Sequence, residues 1–436
     1  MRARLRSLGM LGLLTASLPI DLAITGVVAA VGALRPPAPR PQSDTPRTVL
    51  LSGGKMTKSV ALARAFHRAG HRVVLVETKR YRWTGHRFSN CVDAFHVVPP
   101  SDHPEYAAAL AAIVDAEGVD VYVPVSSPLS SRYEAEAAQG ITDRCEVVHV
   151  DADTIATLDD KDAFAESAES IGLTVPETHR ITDPEQVVDF DFDAHPDRSY
   201  VLKSIPYDPV HRLDMTKLPM STPKETAEHV RTLPISDEQP WILQEFVEGQ
   251  EYCTHGTVRD GVLQVWACCR SSASQLNYEM VERPDIEKWV RTYVESLGLT
   301  GQVSFDFIVD HDGRAVAIEC NPRTHSAITM FYDHPDLALA YLDDGVDTLV
   351  PLAESRPTYW WHMELWRMIS DPRRAPERIR EIRRGREALL DPHDPLPFLL
   401  VPHLQIASLL AGALVRGTEW LKIDINIGKL VEPAGD

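Results

Sequence analysis

The feature that most constrains this chain is a pair of alternating apolar runs, VSFDFIV (303–309) and AVAIECN (315–321). Each carries a carboxylate at its centre, and they are joined through Asp312-Gly313. Period-two alternation reads as half-buried β-strands, and Asp-Gly between them favours a two-residue type I′ hairpin loop. With His311 and Arg314 flanking that loop, Asp306 faces Glu319 and Ser304 faces Asn321. The opposite face then carries Val303, Phe305, Phe307, Val316, Ile318 and Cys320, a core face. The acidic face has only Ala315 and Ala317 for bulk, which leaves room for a ligand. Like charges facing each other across a sheet repel, and in a partly dry site one must take a proton unless a cation intervenes. Two carboxylates and an amide carbonyl form an oxygen-only set suited to Mg²⁺. An ordinary solvated acidic face is the other reading this stretch allows.

The 436 residues suffice for two or three domains, and 25% charged with 44% hydrophobic residues is globular composition. A formal net charge of −19 argues against nucleic acid as partner, since phosphate contacts need clustered Lys and Arg. The six cysteines (91, 145, 253, 268, 269 and 320) show no C-x-x-C spacing and read as reduced thiols of a cytoplasmic protein.

The N-terminus, MRARLR, precedes an apolar run from Leu8 to Leu34 and the linker PPAPRPQSDTP. A signal peptide has similar flanks, but this run is long for one. Pro19 and Asp21 at its centre disfavour a clean span, so an interfacial or re-entrant membrane anchor is expected. A second apolar stretch, PFLLVPHLQIASLLAGALV (397–415), either packs beside the first, shares its bilayer surface, or forms a core helix.

From Arg47, TVLLSGGKMTKSVALARAFHRAGHRVVLVE reads as strand, glycine turn, amphipathic helix and strand, the βαβ opening of a doubly wound sheet. Glu77 stands where a ribose-binding acid would, but SGGK lacks G-x-G-x-x-G, so a strand-to-helix turn at a ligand-facing edge is preferred. Beyond residue 151 come a helix over DADTIATLDDKDAFAESAESIG, strands SYVLKSI, WILQEFV, CTHGTV and GVLQVWACC, and helix TPKETAEHVRTL, a mixed α+β pattern. The expected division is an apolar segment with linker (1–46), a Rossmann-like domain (47–150), a two-part α+β domain (151–350) and a C-terminal region with an apolar helix (351–436).

Lys161 lies in LDDKDAF and Lys203 in YVLKSI, mid-strand among apolar neighbours, where a lysine usually has an anionic partner. WILQEFVEGQE then ends a strand with groups suited to a purine edge. The order Lys, Lys, E-F-V-x-G-x-E, D and E-x-N resembles the ATP-grasp superfamily. That resemblance implies an ATP-grasp fold behind a Rossmann-like pre-ATP-grasp domain, with ATP and Mg²⁺ as cofactors. It assigns Lys161 and Lys203 to phosphates, Gln244, Glu245 and Val247 to adenine, Glu251 to ribose, and Asp306, Glu319 and Asn321 to Mg²⁺. The strings GHRFSN, VPVSSP, LKSIPYD, LTGQVSFDF, ECNPRTHSAITMFY and DPLPFL, with KIDINIGKLVE at the end, further resemble the mycosporine-glycine synthase family of ATP-grasp enzymes.

That second resemblance implies condensation of glycine with 4-deoxygadusol through a phosphorylated enol, giving mycosporine-glycine, ADP and phosphate. The partners implied are these small molecules and, through the apolar ends, a membrane surface; oligomeric state stays open, a homodimer included. Arg323 is expected at the transferred phosphate; His325, if the chain stays extended past Asn321, either takes a proton from the glycine ammonium or makes a plain structural hydrogen bond. Gly53, Gly54, Lys55, Ser126 and Ser127 are expected in the acceptor pocket. The loop Pro206 to Lys217, with His211 and Arg212, is expected over the phosphates, and TYWWHMELWRM (358–368) either walls the acceptor or is core. The competing readings are a carboxylate–amine ligase working through an acyl phosphate, and a membrane-anchored nucleotide-binding protein without turnover.

Overall fold

The computed structural model describes residues 2–36, 41–206, 208, 210–211, 214–271 and 277–432. A 33-residue helix α1 (Arg2–Leu34) leads into a five-stranded parallel sheet. Its strands are β1 (Thr48–Leu51), β2 (Arg72–Thr78), β3 (Ala94–Val98), β4 (Val121–Val123) and β5 (Glu146–Val147), in spatial order β3-β2-β1-β4-β5. The central strands are continuous apolar runs because helices α2 (Thr57–Arg68), α3 (Tyr106–Glu117) and α4 (Ser131–Ala138) accompany a sheet buried on both faces. The turn from β1 into α2 needs Gly53: its φ is +62°, and a Cβ there would lie 2.1 Å from the carbonyl oxygen of Val125. Glu77 has no ribose role to play in this arrangement. Its carboxylate accepts from the backbone N–H of Lys55 at 3.0 Å and of Thr78 at 2.7 Å, and so fixes the glycine turn.

The helix expected across residues 151–172 is two helices, α5 (Ala152–Asp159) and α6 (Lys161–Ser170), broken at Asp160. Asp160 adopts an extended conformation and its side chain caps α6, accepting from the N–H groups of Asp162 and Ala163. A short aspartate offers the backbone this alternative to helix, and LDDKDAF supplies it at the needed spacing. The break puts Lys161 in the first turn of α6.

Strands β6 (Thr178–Ile181), β7 (Tyr200–Ser204) and β8 (Trp241–Glu245) form a small antiparallel sheet, ordered β6-β8-β7. A larger antiparallel sheet, ordered β10-β9-β12-β13, uses β9 (Gly249–Arg259), β10 (Val262–Arg270), β12 (Gly301–Asp310) and β13 (Ala315–Asn321). Strand β11 (Asn277–Tyr278) pairs instead with β14 (Thr358–Tyr359), which pairs with β15 (Arg386–Glu387). Strands β16 (Lys422–Asp424) and β17 (Lys429–Val431) close the described chain as a hairpin. Beneath the larger sheet, Phe305 and Phe307 pack edge-on to Trp289 at 5.5 and 5.2 Å, with Phe164 and Tyr293 completing an aromatic core. All six cysteines are free and buried.

The two apolar ends fold onto the parallel-sheet domain. Helix α1 runs unbroken through Pro19, so the re-entrant form expected for residues 8–34 is not the one observed. Asp21 is 1% exposed and meets His362 and His403, which accounts for a charge in the middle of an apolar helix. The second stretch is also helical, from Leu396 to Arg416, with a π-helical turn over Val401–Ile406 that contains Pro402. Both helices are long and apolar enough to cross a membrane by length and composition. Each keeps an apolar face open, with Leu5, Leu8, Ile20 and Val27 exposed on α1 and Val415 on the second.

The inner side of the second stretch is organised by Gln405. Its Nε2 donates to the carbonyls of Lys55 (3.0 Å) and Gly428 (2.8 Å), and its Oε1 accepts from the Thr84 hydroxyl and the Gly85 N–H, both at 3.0 Å. Gln405→Leu removes all four bonds and leaves the buried Gly85 N–H and Gly428 carbonyl without this partner, while the Thr84 hydroxyl keeps the Gly54 carbonyl, so a loss of about 2 to 4 kcal/mol is expected. The urea midpoint of the full chain checks it; an unchanged midpoint would show that the amide does not hold these segments together.

Candidate functional site

The acidic hairpin has the expected pairs by an unexpected route. Asp306 faces Glu319 and Ser304 faces Asn321, but beyond them Phe307 faces Ala317 and Val309 faces Ala315. The loop has three residues, one more than Asp-Gly alone predicts: Asp310 and Arg314 flank His311, Asp312 and Gly313, the last at φ +84°. A three-residue loop with glycine in the left-handed position shifts the register by one, and a bulge at Ile318 shifts it back. Ala317 therefore lies in the core with Phe307, and Val316, opposite Ile308, takes the place on the acidic face expected for Ala317.

At the centre, the Asn321 amide nitrogen lies 3.3 Å from Asp306 Oδ2 and 3.4 Å from Glu319 Oε1, with Lys161 Nζ 4.0 Å from Glu319 Oε2. Burial and the facing Glu319 charge push the Asp306 carboxyl well above its usual range. Glu319 is also penalised by burial, but Lys161, the Asp306 hydrogen bond and Lys203 outweigh this and hold it at about 2. The pair thus keeps one proton between two acids. This donor set fits a divalent cation: the cation would displace the shared proton, and Asn321 would turn its carbonyl oxygen inward.

Lys203 and Gln244 share one face of the small sheet, Lys203 Nζ donating to Gln244 Oε1 at 2.9 Å. Burial lowers the Lys203 pKa, and Glu319 opposes that shift. Glu251 pairs with Ile308 and so stands on the same face as Asp306. Val247 is buried just past the end of β8. Glu245 departs from expectation: it points to the other face, where its carboxylate accepts from the Glu177 N–H at 3.2 Å. Alternation along β8 requires this, since Gln244 already faces the cleft. The Glu245 side chain is thus turned away from the face that carries Lys203 and Gln244.

The chain does not stay extended past Asn321. The Arg323 N–H donates to the Asn321 carbonyl at 2.7 Å, and the turn folds the guanidinium back between the Asn321 side-chain oxygen and Asp159, 3.3 Å away. Burial raises the Asp159 pKa, with Arg323 opposing it. His325 caps the turn that follows, its Nδ1 accepting from the Ala327 N–H at 3.2 Å. That bond is the structural role open to His325 from sequence, and it leaves Nε2 as the ring nitrogen free of the cap.

Sequence reasoning missed Lys58. It is buried at the start of α2 and donates to the carbonyls of Thr324 (2.6 Å) and Ser126 (3.1 Å), joining the hairpin exit to the parallel sheet. Burial, reinforced by the Arg323 charge, lowers its pKa to about 7. The two N–H groups of a neutral amine match the two carbonyls. Its only signal was a lysine on a helix buried almost all round; Asp159 had none, its partner lying 164 residues away.

Gly53, Gly54 and Lys55 lie in the turn just before Lys58, with Lys55 Nζ 4.1 Å from the Tyr81 ring centre. Ser126 is fully buried, its hydroxyl bound to Glu134, so it offers no side chain to a pocket; Ser127 instead pairs with Ser130 at 3.2 Å. His211 bonds Asp208 at 2.6 Å and lies against Trp241, while Arg212 falls outside the described residues. In 358–368, Trp360 is core and donates to the Thr57 hydroxyl at 3.1 Å, whereas Trp366 is exposed.

Comparison with solved structures explains this architecture. An ADP complex of N5-carboxyaminoimidazole ribonucleotide synthetase aligns over 76% of this chain and 86% of its own, at TM-score 0.54 and 14% identity. The chain has the ATP-grasp fold. Biotin carboxylase from Campylobacter jejuni, in a β-γ-ATP complex, aligns over 68% and 72% (TM-score 0.52, 12% identity). The biotin carboxylase domain of 2-oxoglutarate carboxylase from Hydrogenobacter thermophilus, solved with MgADP, ADP and bicarbonate, aligns over 70% and 72% (TM-score 0.51, 13% identity). No protein-family model matches the sequence, and no curated protein does.

The raised Asp306 pKa has a consequence for stability. Below about pH 4 the aspartate is protonated both folded and unfolded and adds nothing. As pH rises from there towards the folded value, the unfolded chain releases its proton first and stability falls. Asp306→Asn is therefore expected to raise the thermal midpoint in chelator at pH 8 but not at pH 4, by about 1 kcal/mol, the scale of a like-charge pair across strands. Equal shifts at both pH values would show that the pair is not in conflict.

Proposed function

We propose that the chain is an ATP- and Mg²⁺-dependent ligase that joins glycine to 4-deoxygadusol through a phosphorylated enol, forming mycosporine-glycine. The observation that carries the reading is the continuity of the site: the lysines and acids lead through Arg323 directly to Lys58 and the glycine turn of the parallel-sheet domain. A nucleotide on the lysine side would thus present its last phosphate to an acceptor on the α2 side. The sequence strings around both halves supply the choice of acceptor.

Asp306, Glu319 and Asn321 would hold Mg²⁺, which supplies charge neutralisation to the nucleotide phosphates. Lys161 and Lys203 bind phosphate oxygens, Gln244 and the backbone at Glu245 and Val247 face the adenine, and Glu251 faces the ribose. The acceptor's enol oxygen attacks the γ-phosphorus, and the bond to the bridging oxygen of ADP breaks. Arg323, held in place by Asp159 and Asn321, steers the transferred group by a two-pronged contact. Glycine nitrogen then adds to the phosphorylated carbon, phosphate departs with its oxygen, and loss of the nitrogen proton leaves an enaminone. His325 offers Nε2–H to the departing phosphate, and neutral Lys58 stands next to the acceptor with a pKa suited to the glycine proton. Gly53, Gly54, Lys55 and Ser127 line the acceptor side, and His211 lies on the phosphate side. The exposed apolar faces of α1 and the 396–416 helix rest on a membrane surface from the cytoplasmic side.

The test is ADP release by purified protein given ATP, Mg²⁺, 4-deoxygadusol and glycine. Release should need both small substrates, give a product absorbing in the near ultraviolet, and vanish in an Asp306→Asn, Glu319→Gln double variant. Arg323→Lys should lower kcat by about 100-fold or more with little change in the KM for ATP. ADP release supported by a carboxylate acceptor, and not by 4-deoxygadusol, would replace this reading with a carboxylate–amine ligase; ATP binding without turnover under either acceptor would leave a nucleotide-binding protein.

A further inference from the structure

Three elements distant in sequence converge away from the nucleotide cleft. Asp21 comes from the middle of α1, His362 from the helix Trp361–Ser370, and His403 from the π-helical turn. Asp21 Oδ2 lies 3.0 Å from His362 Nε2 and 2.8 Å from His403 Nε2, and the three donor atoms all lie within 4.8 Å of one another. The second oxygen, Asp21 Oδ1, is buried with no hydrogen-bond partner. The Thr25 hydroxyl does not relieve it, because it bonds the Asp21 main-chain carbonyl. A buried carboxylate that crowds two imidazoles onto one oxygen and leaves the other bare is poorly satisfied as a plain hydrogen-bonded cluster.

We infer that Asp21, His362 and His403 form a binding site for a transition-metal ion of the Zn²⁺ class, which clips the N-terminal helix to the C-terminal segment. Two imidazole nitrogens and a carboxylate are a borderline-soft set that suits Zn²⁺ and disfavours Mg²⁺, in contrast to the oxygen-only set at Asp306. Bonds of about 2.0–2.1 Å in a tetrahedral site separate ligand atoms by about 3.3 Å, close to the spacing already present. Asp21 Oδ1 or a water completes the coordination. The π turn serves this geometry: the extra residue per turn around Pro402 aims His403 at α1 while Gln405 faces the glycine turn.

The test uses the full, untagged chain, stripped with chelator and titrated with Co²⁺. One equivalent should develop the visible absorption of four- or five-coordinate Co²⁺, abolished by stoichiometric Zn²⁺ and untouched by millimolar Mg²⁺. Asp306→Asn should leave the spectrum intact, which separates this site from the nucleotide site whatever the enzyme's substrate proves to be. His362→Gln and His403→Gln should each weaken Co²⁺ binding by more than about 100-fold, beyond the cost of an outer hydrogen bond, with the far-ultraviolet spectrum unchanged. Zn²⁺ should also slow proteolytic removal of α1. No Co²⁺ band in the wild-type chain, or a band that survives in both histidine variants, would overturn the site; should a variant not fold, the wild-type spectrum and its Zn²⁺ stoichiometry still decide.

Discussion

Two carboxylates set face to face across β12 and β13 are the constraint around which the rest is arranged. Without a cation they share a proton and repel, so the hairpin must be held together by something other than its acidic face. That hold comes from the reverse face, where Phe305 and Phe307 pack with Phe164, Trp289 and Tyr293 in an aromatic core. Each such ring buries a large apolar area, and several together outweigh one unfavourable charge pair. The local cost is the condition for binding, because a site already at ease without a cation would gain little from one.

Much of this was legible because it is local. Alternation placed Asp306 and Glu319 on a shared face, and the apolar neighbours of Lys203 marked a buried lysine, although its direct partner is the Gln244 amide, with the Glu319 charge acting on it. The register itself came out right at the acids through two departures that cancel, a longer loop and a bulge at Ile318. Neither is visible in an Asp-Gly dipeptide, since a three-residue loop with glycine at its end uses the same letters. The break at Asp160 was locally encoded as well, but a helical run of alanines and acids hides a cap unless the aspartate is read as one.

What the sequence hid is long-range. The sequence marks Arg323 by its place after Asn321, yet its clasp by Asp159 depends on how α5 meets the hairpin exit. Lys58 looked like one more helix lysine until folding brought the carbonyls of Ser126 and Thr324 to it. The partner of His325 was hidden for the same reason: its Nδ1 accepts from the Ala327 N–H, which reaches it only because the chain turns after Asn321. In the apolar ends, Asp21 signalled trouble for a membrane span but not its resolution, because His362 and His403 lie more than 300 residues away.

These long-range contacts have one consequence for how the molecule works as a unit. Three chain segments meet beside the proposed acceptor side: the glycine turn, the hairpin exit and the final strands. Thr57 donates to the Asn426 carbonyl at 2.8 Å, Asn426 donates to the Ser326 hydroxyl at 2.7 Å, and Gln405 ties Lys55 to Gly428. The C-terminal segment therefore makes none of the cleft's lysine–carboxylate contacts but sets the spacing between the turn that carries Lys58 and the loop that carries His325. Helix α1 braces that segment from outside through Asp21. If the nucleotide binds at the sheets around Lys203 and Asp306 as proposed, a change at the ends of the chain should be felt in the fit of the acceptor without disturbing nucleotide binding.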